Sequence, residues 1–379
     1  MPSLTALHLP ALKGIAAAAF LGVAALALAP GTASAARPAA PETAPAAKSA
    51  QSQPPSLCDH ATARDASSHA AKSPQARYLC ATAGDLIDVR IGDVHATQPS
   101  LGYDEVYYKL GRYSLGKDAI NKKYDDWCEA NGQVLAATVS ATAKLKDPKS
   151  FTCTLPVGQE TPASIALMKT VVIGPKGSLY LTDGHHTLTS FYETADGGPN
   201  THVRLRVLGN LSKLSTKAFW AQMETNQWVW LRDVAGNPIT VKQLPSGVGL
   251  ANFADDKYRS ILYFSRDIGY TPGSLPFQEF YWGSWVRDAQ PVDLSTWNQN
   301  DAASYLDAVK KLSVAQTSLP ADTLIDGGFT ASQLGVLPLW NAGAAESAGE
   351  FAKLSKPYSD AKPGKIAYAL QYKLSLLTP

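Results

Sequence analysis

Cysteine is scarce in this chain. Among 379 residues there are four, Cys58, Cys80, Cys128 and Cys153. None stands in a Cys-x-x-Cys pair, which argues against a zinc finger or ribbon. A large excess of one charge is also missing. The 34 basic residues face 32 acidic ones, a formal charge of +2, so the strong positive field of a DNA-coating protein is excluded. No 20–50-residue repeat is present, which excludes a solenoid. No Gly-x-Ser-x-Gly nucleophile elbow supports a Ser-His-Asp hydrolase. Histidine is sparse too, with seven in all, yet two of them are adjacent.

Long apolar runs are absent except near the start. Lys13 precedes the apolar stretch Gly14 to Ala29, and Ala33-Ser34-Ala35 follows. A positive start, a hydrophobic run and a small-residue cleavage site read as a secretory signal peptide over residues 1–35. The run is about 16 residues, against the roughly 20 that a spanning helix needs, so no stable membrane span is expected after cleavage, and the expected location is periplasmic or secreted. Residues 36–56 are rich in Ala, Pro and Ser and are expected to form a flexible tether. An even cysteine count in an exported chain suggests two disulfides. Sequence proximity favours Cys58–Cys80, inside an N-terminal segment of residues 57–84, and Cys128–Cys153.

What is present is an ordinary globular composition, 45% hydrophobic and 17% charged. Leu86 to Val89 suggests a strand, and YDEVYYKLGRY after Gly102 suggests a helix. Asp118 is a candidate cap for a further helix, DAINKKYDDWCEAN, ended by Asn131-Gly132. Val171-Val172-Ile173, a GPKG turn and SLYL read as a β-hairpin. Asp183-Gly184 follows, then HHTLTSFYETA, in which Leu188, Phe191, Tyr192 and Ala195 share one helical face. His202 to Leu208 alternates as a half-buried strand. Toward the end, DAASYLDAVKKL (capped by Asn300-Asp301), a capped segment in IDGGFTASQL, and KIAYALQYKLSLL each suggest a helix. Trp220, Trp228, Trp230, Trp282 and Trp285 are read chiefly as core, with base stacking as the alternative. Arg259, Arg266 and Arg287 are candidates for phosphate contacts or for pairing with Asp255, Asp267 and Asp288.

His185 and His186 therefore open a helix directly after a strand. The first amides of a helix lack intrahelical partners and carry partial positive charge, so an anion is their natural ligand. Gly184 permits close backbone approach. Metal binding competes with this reading. Neighbouring helical side chains diverge by about 100°, so the two rings rarely reach one ion, although Asp183 with His186 could. A third reading leaves the histidines merely satisfied at a capped junction.

The hairpin followed by DGHH resembles the ParB/sulfiredoxin superfamily, and more closely its ParB-like nuclease group. VHATQPSLGYDEVYYKLGRY, with its Thr97-Gln98 pair, is similar to that group's opening block. AFWAQM, DDKYRS and FQEFYW…WVRD also look like the group, over about residues 85–290. The resemblance implies an α+β fold. It would comprise a ParB/sulfiredoxin-like mixed sheet and a hairpin-to-helix anion-binding junction, to which the helices read at the end of the chain add a C-terminal helical extension over residues 291–379. In sulfiredoxin the junction reads Gly-Cys-His-Arg and in partition ParB proteins Gly-Glu-Arg-Arg. Here it reads Gly184-His185-His186-Thr187, which removes the reactive thiol and the arginines but keeps a helix start aimed at phosphate. The implied roles follow. His186 contacts phosphate, His185 is the acid–base or nucleophilic residue, and Asp183 caps the helix or orients a ring. Thr97, Gln98, Gly184 and Thr187 bind ligand, Gln98 by donating to a phosphate oxygen, while Lys109, Arg112 and Lys117 supply positive charge. The expected function is an exported phosphodiesterase or nuclease acting on a phosphate-containing ligand or nucleic acid, with no cofactor. The alternatives are a non-catalytic anion-binding module of the cell envelope, and a structural protein that only inherits the fold.

Overall fold

The computed structural model describes residues 74–117, 122–342 and 350–377, all within one compact unit. The signal peptide, the tether, Asp118 and Cys58 lie outside them. In chain order the elements are β1 (Leu86–Arg90), β2 (Val94–His95), β3 (Ser100–Leu101), α1 (Tyr103–Ser114), α2 (Lys122–Ala130), β4 (Ala136–Val139), β5 (Phe151–Cys153) and α3 (Pro162–Ala166). Then come β6 (Thr170–Ile173), β7 (Leu179–Leu181), α4 (His185–Glu193), β8 (His202–Asn210), α5 (Thr216–Thr225), β9 (Ala254–Asp255), α6 (Lys257–Ser265) and α7 (Gln278–Ala289). The last are α8 (Ala302–Thr317), β10 (Leu324–Asp326), β11 (Phe329–Thr330), α9 (Glu350–Leu354) and α10 (Lys365–Leu377).

The main sheet is mixed, in the order β1-β8-β6-β7-β2. β8 runs antiparallel to β1 and parallel to β6, and β2 runs parallel to β7. Side chains alternate across a strand, and β6 shows why this one is apolar throughout. Val171 and Ile173 enter a core shared with Leu188 and Phe191 of α4 and Val106 and Leu110 of α1. Val172 faces the other way, onto Phe219 and Met223 of α5. Both faces are covered, so every residue of β6 is buried. On β8 the alternation expected from sequence holds, with Val203, Leu205 and Val207 buried.

A second core joins Ile261, Leu262 and Phe264 of α6 and Trp282 and Trp285 of α7 to Val309 and Leu312 of α8 and Ile366 and Ala369 of α10. Of the five tryptophans read chiefly as core, Trp230, Trp282 and Trp285 are buried, whereas Trp220 and Trp228 are only partly covered, packed against Phe219 and Met223. α1 links the two halves. Its N-cap, Gly102, packs so closely on α6 that an added Cβ would lie 2.6 Å from the Ser260 amide nitrogen. The disulfide Cys128–Cys153 ties α2 to β5.

One expected helix is replaced. IDGGFTASQL forms the hairpin of β10 and β11 rather than a turn and a helix. Gly327 and Gly328, with φ of 60° and 81°, supply the two left-handed positions of a tight hairpin turn. Thr330 and Gln333 do make the reciprocal bonds that read as a helix start. The chain then completes one turn and stops at Gly335, whose φ is 71°.

Candidate functional site

The parallel pairing of β2 with β7 fixes the site. Val94 lies opposite Leu179, which carries Thr97 to the end of β7, where its hydroxyl donates to the Leu181 carbonyl at 2.6 Å. Gly184 then turns the chain into α4 with φ of 99°, a conformation that glycine adopts at little cost. Both following histidines point inward. The Thr97 amide donates to His185 Nε2 at 3.1 Å, and the Gly102 amide donates to His186 Nε2 at 3.1 Å. The two residues are 3% and 7% exposed.

These bonds assign the tautomer. A ring whose Nε2 accepts a backbone N–H is neutral and holds its proton on Nδ1, which has no acceptor among the described residues. Burial agrees, because it disfavours the imidazolium. It brings His185 down to about 4, against the opposing charge of Asp183 and with that of Arg259 adding a little. Burial and the charges of Arg259 and Arg266 hold His186 well below the usual range.

The backbone amides of His185, His186 and Thr187 have no acceptor among the described residues; the first bond of the helix runs from Leu188 to Gly184. They open on a cleft of about 580 Å³, whose lining also includes Gln98 and Glu105. Lys169, Arg206, Arg259 and Arg266 line it as cations, against the carboxylates of Asp183, Glu105 and Glu279. That leaves one positive charge in excess, beside the positive end of the α4 dipole. Arg259 is 6% exposed. Its Nη2 lies 3.2 Å from Glu105 and 3.8 Å from Glu279, while its Nη1 is sealed from solvent without a hydrogen-bond partner. Arg206 Nε is unpartnered in the same way. Burial alone would raise the Glu279 carboxyl, but Arg259 and Arg266 outweigh it and bring it down to about 2. Glu279 thus stays ionised between the two guanidinium groups, and Arg206 and Arg259 each keep a donor nitrogen without an acceptor. Trp228, Phe277 and Phe280 add aromatic surface to its lining.

The residues singled out in the sequence divide into two sets. Asp183, Gly184, His185, His186, Thr187 and Gln98 all line the cleft, and Thr97 adjoins it through His185. The Asp183 side chain is 63% exposed and pairs with Lys169 at 3.6 Å; it makes no side-chain cap on α4. The Gln98 amide nitrogen donates to the Ser100 carbonyl at 2.7 Å. Lys109, Arg112 and Lys117 do not line the cleft. Lys109 faces Asp126 at 3.6 Å, Arg112 donates to the Tyr108 hydroxyl, and Lys117 donates to the Tyr358 carbonyl. Two of the arginines noted in the sequence are present, with other partners than expected. Arg259 and Arg266 pair with Glu105 and Glu279 rather than with Asp255 and Asp267, and Arg287 donates to the Val234 carbonyl. Lys169 and Arg206 carry no motif; Arg206 shows only as a basic residue on the polar face of β8. Among the described residues no cluster of His, Cys, Asp and Glu is arranged to hold a metal ion.

The family described as "Putative ParB-like nuclease" matches residues 87–288. That is more than half of the chain, and the protein belongs to this family. The crystal structure of protein Atu1540 from Agrobacterium tumefaciens is similar at 20% identity and a TM-score of 0.42, over 62% of this chain and 95% of that one. Among curated proteins, none matches this sequence.

Proposed function

We propose that the cleft binds the phosphate group of a phosphate-bearing ligand. One observation carries the reading: the unpartnered amides of α4 line the same cleft as Arg206 and Arg259, each of which holds a buried donor nitrogen without an acceptor. Phosphate has the oxygens to satisfy both. His185 and His186 act as neutral struts in this reading. Their acceptor nitrogens are engaged by Thr97 and Gly102, so neither Nε2 is free to take a proton or attack phosphorus. Their Nδ1–H groups remain as donors. The Cys128–Cys153 disulfide suits an oxidising compartment, so export by the leader belongs to the same reading.

Phosphodiester hydrolysis is the second reading. It rests on the family and on Asp183, a largely exposed carboxylate at the cleft beside the free amides. The test uses the purified full chain with inorganic phosphate, then with short DNA and RNA, with and without a chelator. Phosphate should raise the midpoint of thermal unfolding in proportion to log concentration, and Arg206→Gln should weaken that response about tenfold. Turnover lost in Asp183→Asn with phosphate binding retained would establish the hydrolase. If phosphate leaves the midpoint unchanged at millimolar concentration, the binding reading fails.

A further inference from the structure

A second cavity, of about 360 Å³, lies between the end of α6, α9 and the start of α10. It is at the small end of the ligand-sized range, roughly 300–1,000 Å³. Phe264, Ile268 and Leu354 give it an apolar lining, and these three belong to the second core. The charged lining is one-sided: Arg266, Lys353, Lys356, Lys362 and Lys365 face a single carboxylate, Glu350. Glu350 is committed to Lys353 at 2.6 Å, and Arg266 to Glu279. Lys362 and Lys365 have no carboxylate partner among the described residues. The Lys365 ammonium lies 5.0 Å from the centre of the Tyr263 ring. A cation held against apolar surface without a counter-charge is costly, and a long lysine normally turns its head to water.

The geometry points to a second anion-binding site here, one that takes a small amphiphilic anion with an apolar body and a carboxylate head. The body replaces water on Pro363 and the lysine stems of the lining, since Phe264, Ile268 and Leu354 are themselves nearly sealed. The head supplies the counter-charge that Lys362 and Lys365 lack. An inorganic anion satisfies only the second requirement, and a neutral alcohol only the first. The two cavities share Arg266, but this site stands on its own residues whether or not the phosphate reading holds.

The test measures binding of octanoate, 1-octanol and inorganic phosphate to the full chain by calorimetry. Octanoate should bind one to one and at least tenfold more tightly than octanol. Lys362→Gln with Lys365→Gln should weaken octanoate at least tenfold while the unliganded thermal midpoint stays where it was. Lys362 is exposed, so Lys362→Gln alone serves if the double variant folds poorly, with a several-fold loss expected. Arg206→Gln, in the other cleft, should leave octanoate binding unchanged. Octanol binding as well as octanoate, no octanoate binding at all, or lysine variants that bind like the wild type would each overturn the site.

Discussion

The Gly102 amide donates to Nε2 of His186 across 84 residues of sequence, at 3.1 Å. Gly102 is the N-cap of α1 and His186 lies in the first turn of α4, so a neutral imidazole joins the starts of two helices. The bond from Thr97 to His185 repeats the arrangement one residue earlier. A protonated ring cannot accept either bond, which makes the junction sensitive to acid.

The sign of that sensitivity follows from linkage. The pKa of His185 falls from 6.5 unfolded to about 4 folded. The unfolded chain therefore binds more protons in that window, and stability rises with pH there. The contribution is complete above pH 6.5 and is lost progressively toward pH 4. Between pH 7.5 and pH 5 it amounts to about 2 kcal/mol from this ring. His185→Asn, which keeps an acceptor without a titrating group, should flatten the slope by that amount. Urea denaturation of both proteins at the two pH values measures it. A wild-type slope that the substitution leaves intact would place the titration elsewhere.

Arg259 holds Glu105 and Glu279 in a nearly dry setting. Removing one partner of a buried pair strands the others, at about 3–5 kcal/mol. Arg259→Met should therefore destabilise by that much, and adding Glu105→Gln should recover part of the loss because a stranded carboxylate is then gone. Denaturant midpoints of the two single variants and the double variant give the coupling. Additive losses would show that the pair contributes no specific interaction.

Much of the site was legible because it is local. The 171–181 hairpin, Gly184 and the stripe of α4 follow one another without a break, and periodicity and turn chemistry identify each. The disposition of charge was not legible. Lys109, Arg112 and Lys117 stand nearest in sequence to Thr97-Gln98, yet α1 and the chain just after it turn them toward Asp126, Tyr108 and Tyr358. The same helix sends Glu105 into the cleft. Lys169, Arg206, Arg259 and Arg266 arrive from the chain before β6, from β8 and from α6. Only the strand order and the docking of α6 on Gly102 bring them together. The reading of IDGGFTASQL as a helix start failed for a different reason. A Thr330–Gln333 pair marks the first turn of a helix, but it does not say whether a second turn follows.

The Cys128–Cys153 link closes a loop of sequence separation 25. Loop-closure entropy for that length gives about 3 kcal/mol of stabilisation. Replacing both cysteines with alanine should lower unfolding stability by about that amount and leave phosphate binding unchanged, because neither cysteine lines the cleft. Urea titration with and without saturating phosphate checks both halves. A loss under 1 kcal/mol would mean that the unlinked loop is already ordered in the unfolded ensemble.

Gly184 and Gly198 offer a matched comparison. Both adopt left-handed backbone, with φ of 99° and 103°, and alanine there costs about 1–2 kcal/mol from strain alone. Around Gly198 an added Cβ meets nothing within 4 Å, whereas at Gly184 it falls 2.5 Å from Lys169 Cγ. Gly184→Ala must therefore move Lys169 as well, disturbing its pairing with Asp183 and the approach to the free amides of α4. Gly198→Ala should lose stability and keep phosphate affinity. Gly184→Ala should lose somewhat more stability and about tenfold in affinity. Calorimetric titration with phosphate separates the outcomes, and equal affinities in the two variants would show that the amides after Gly184 do not form the binding site.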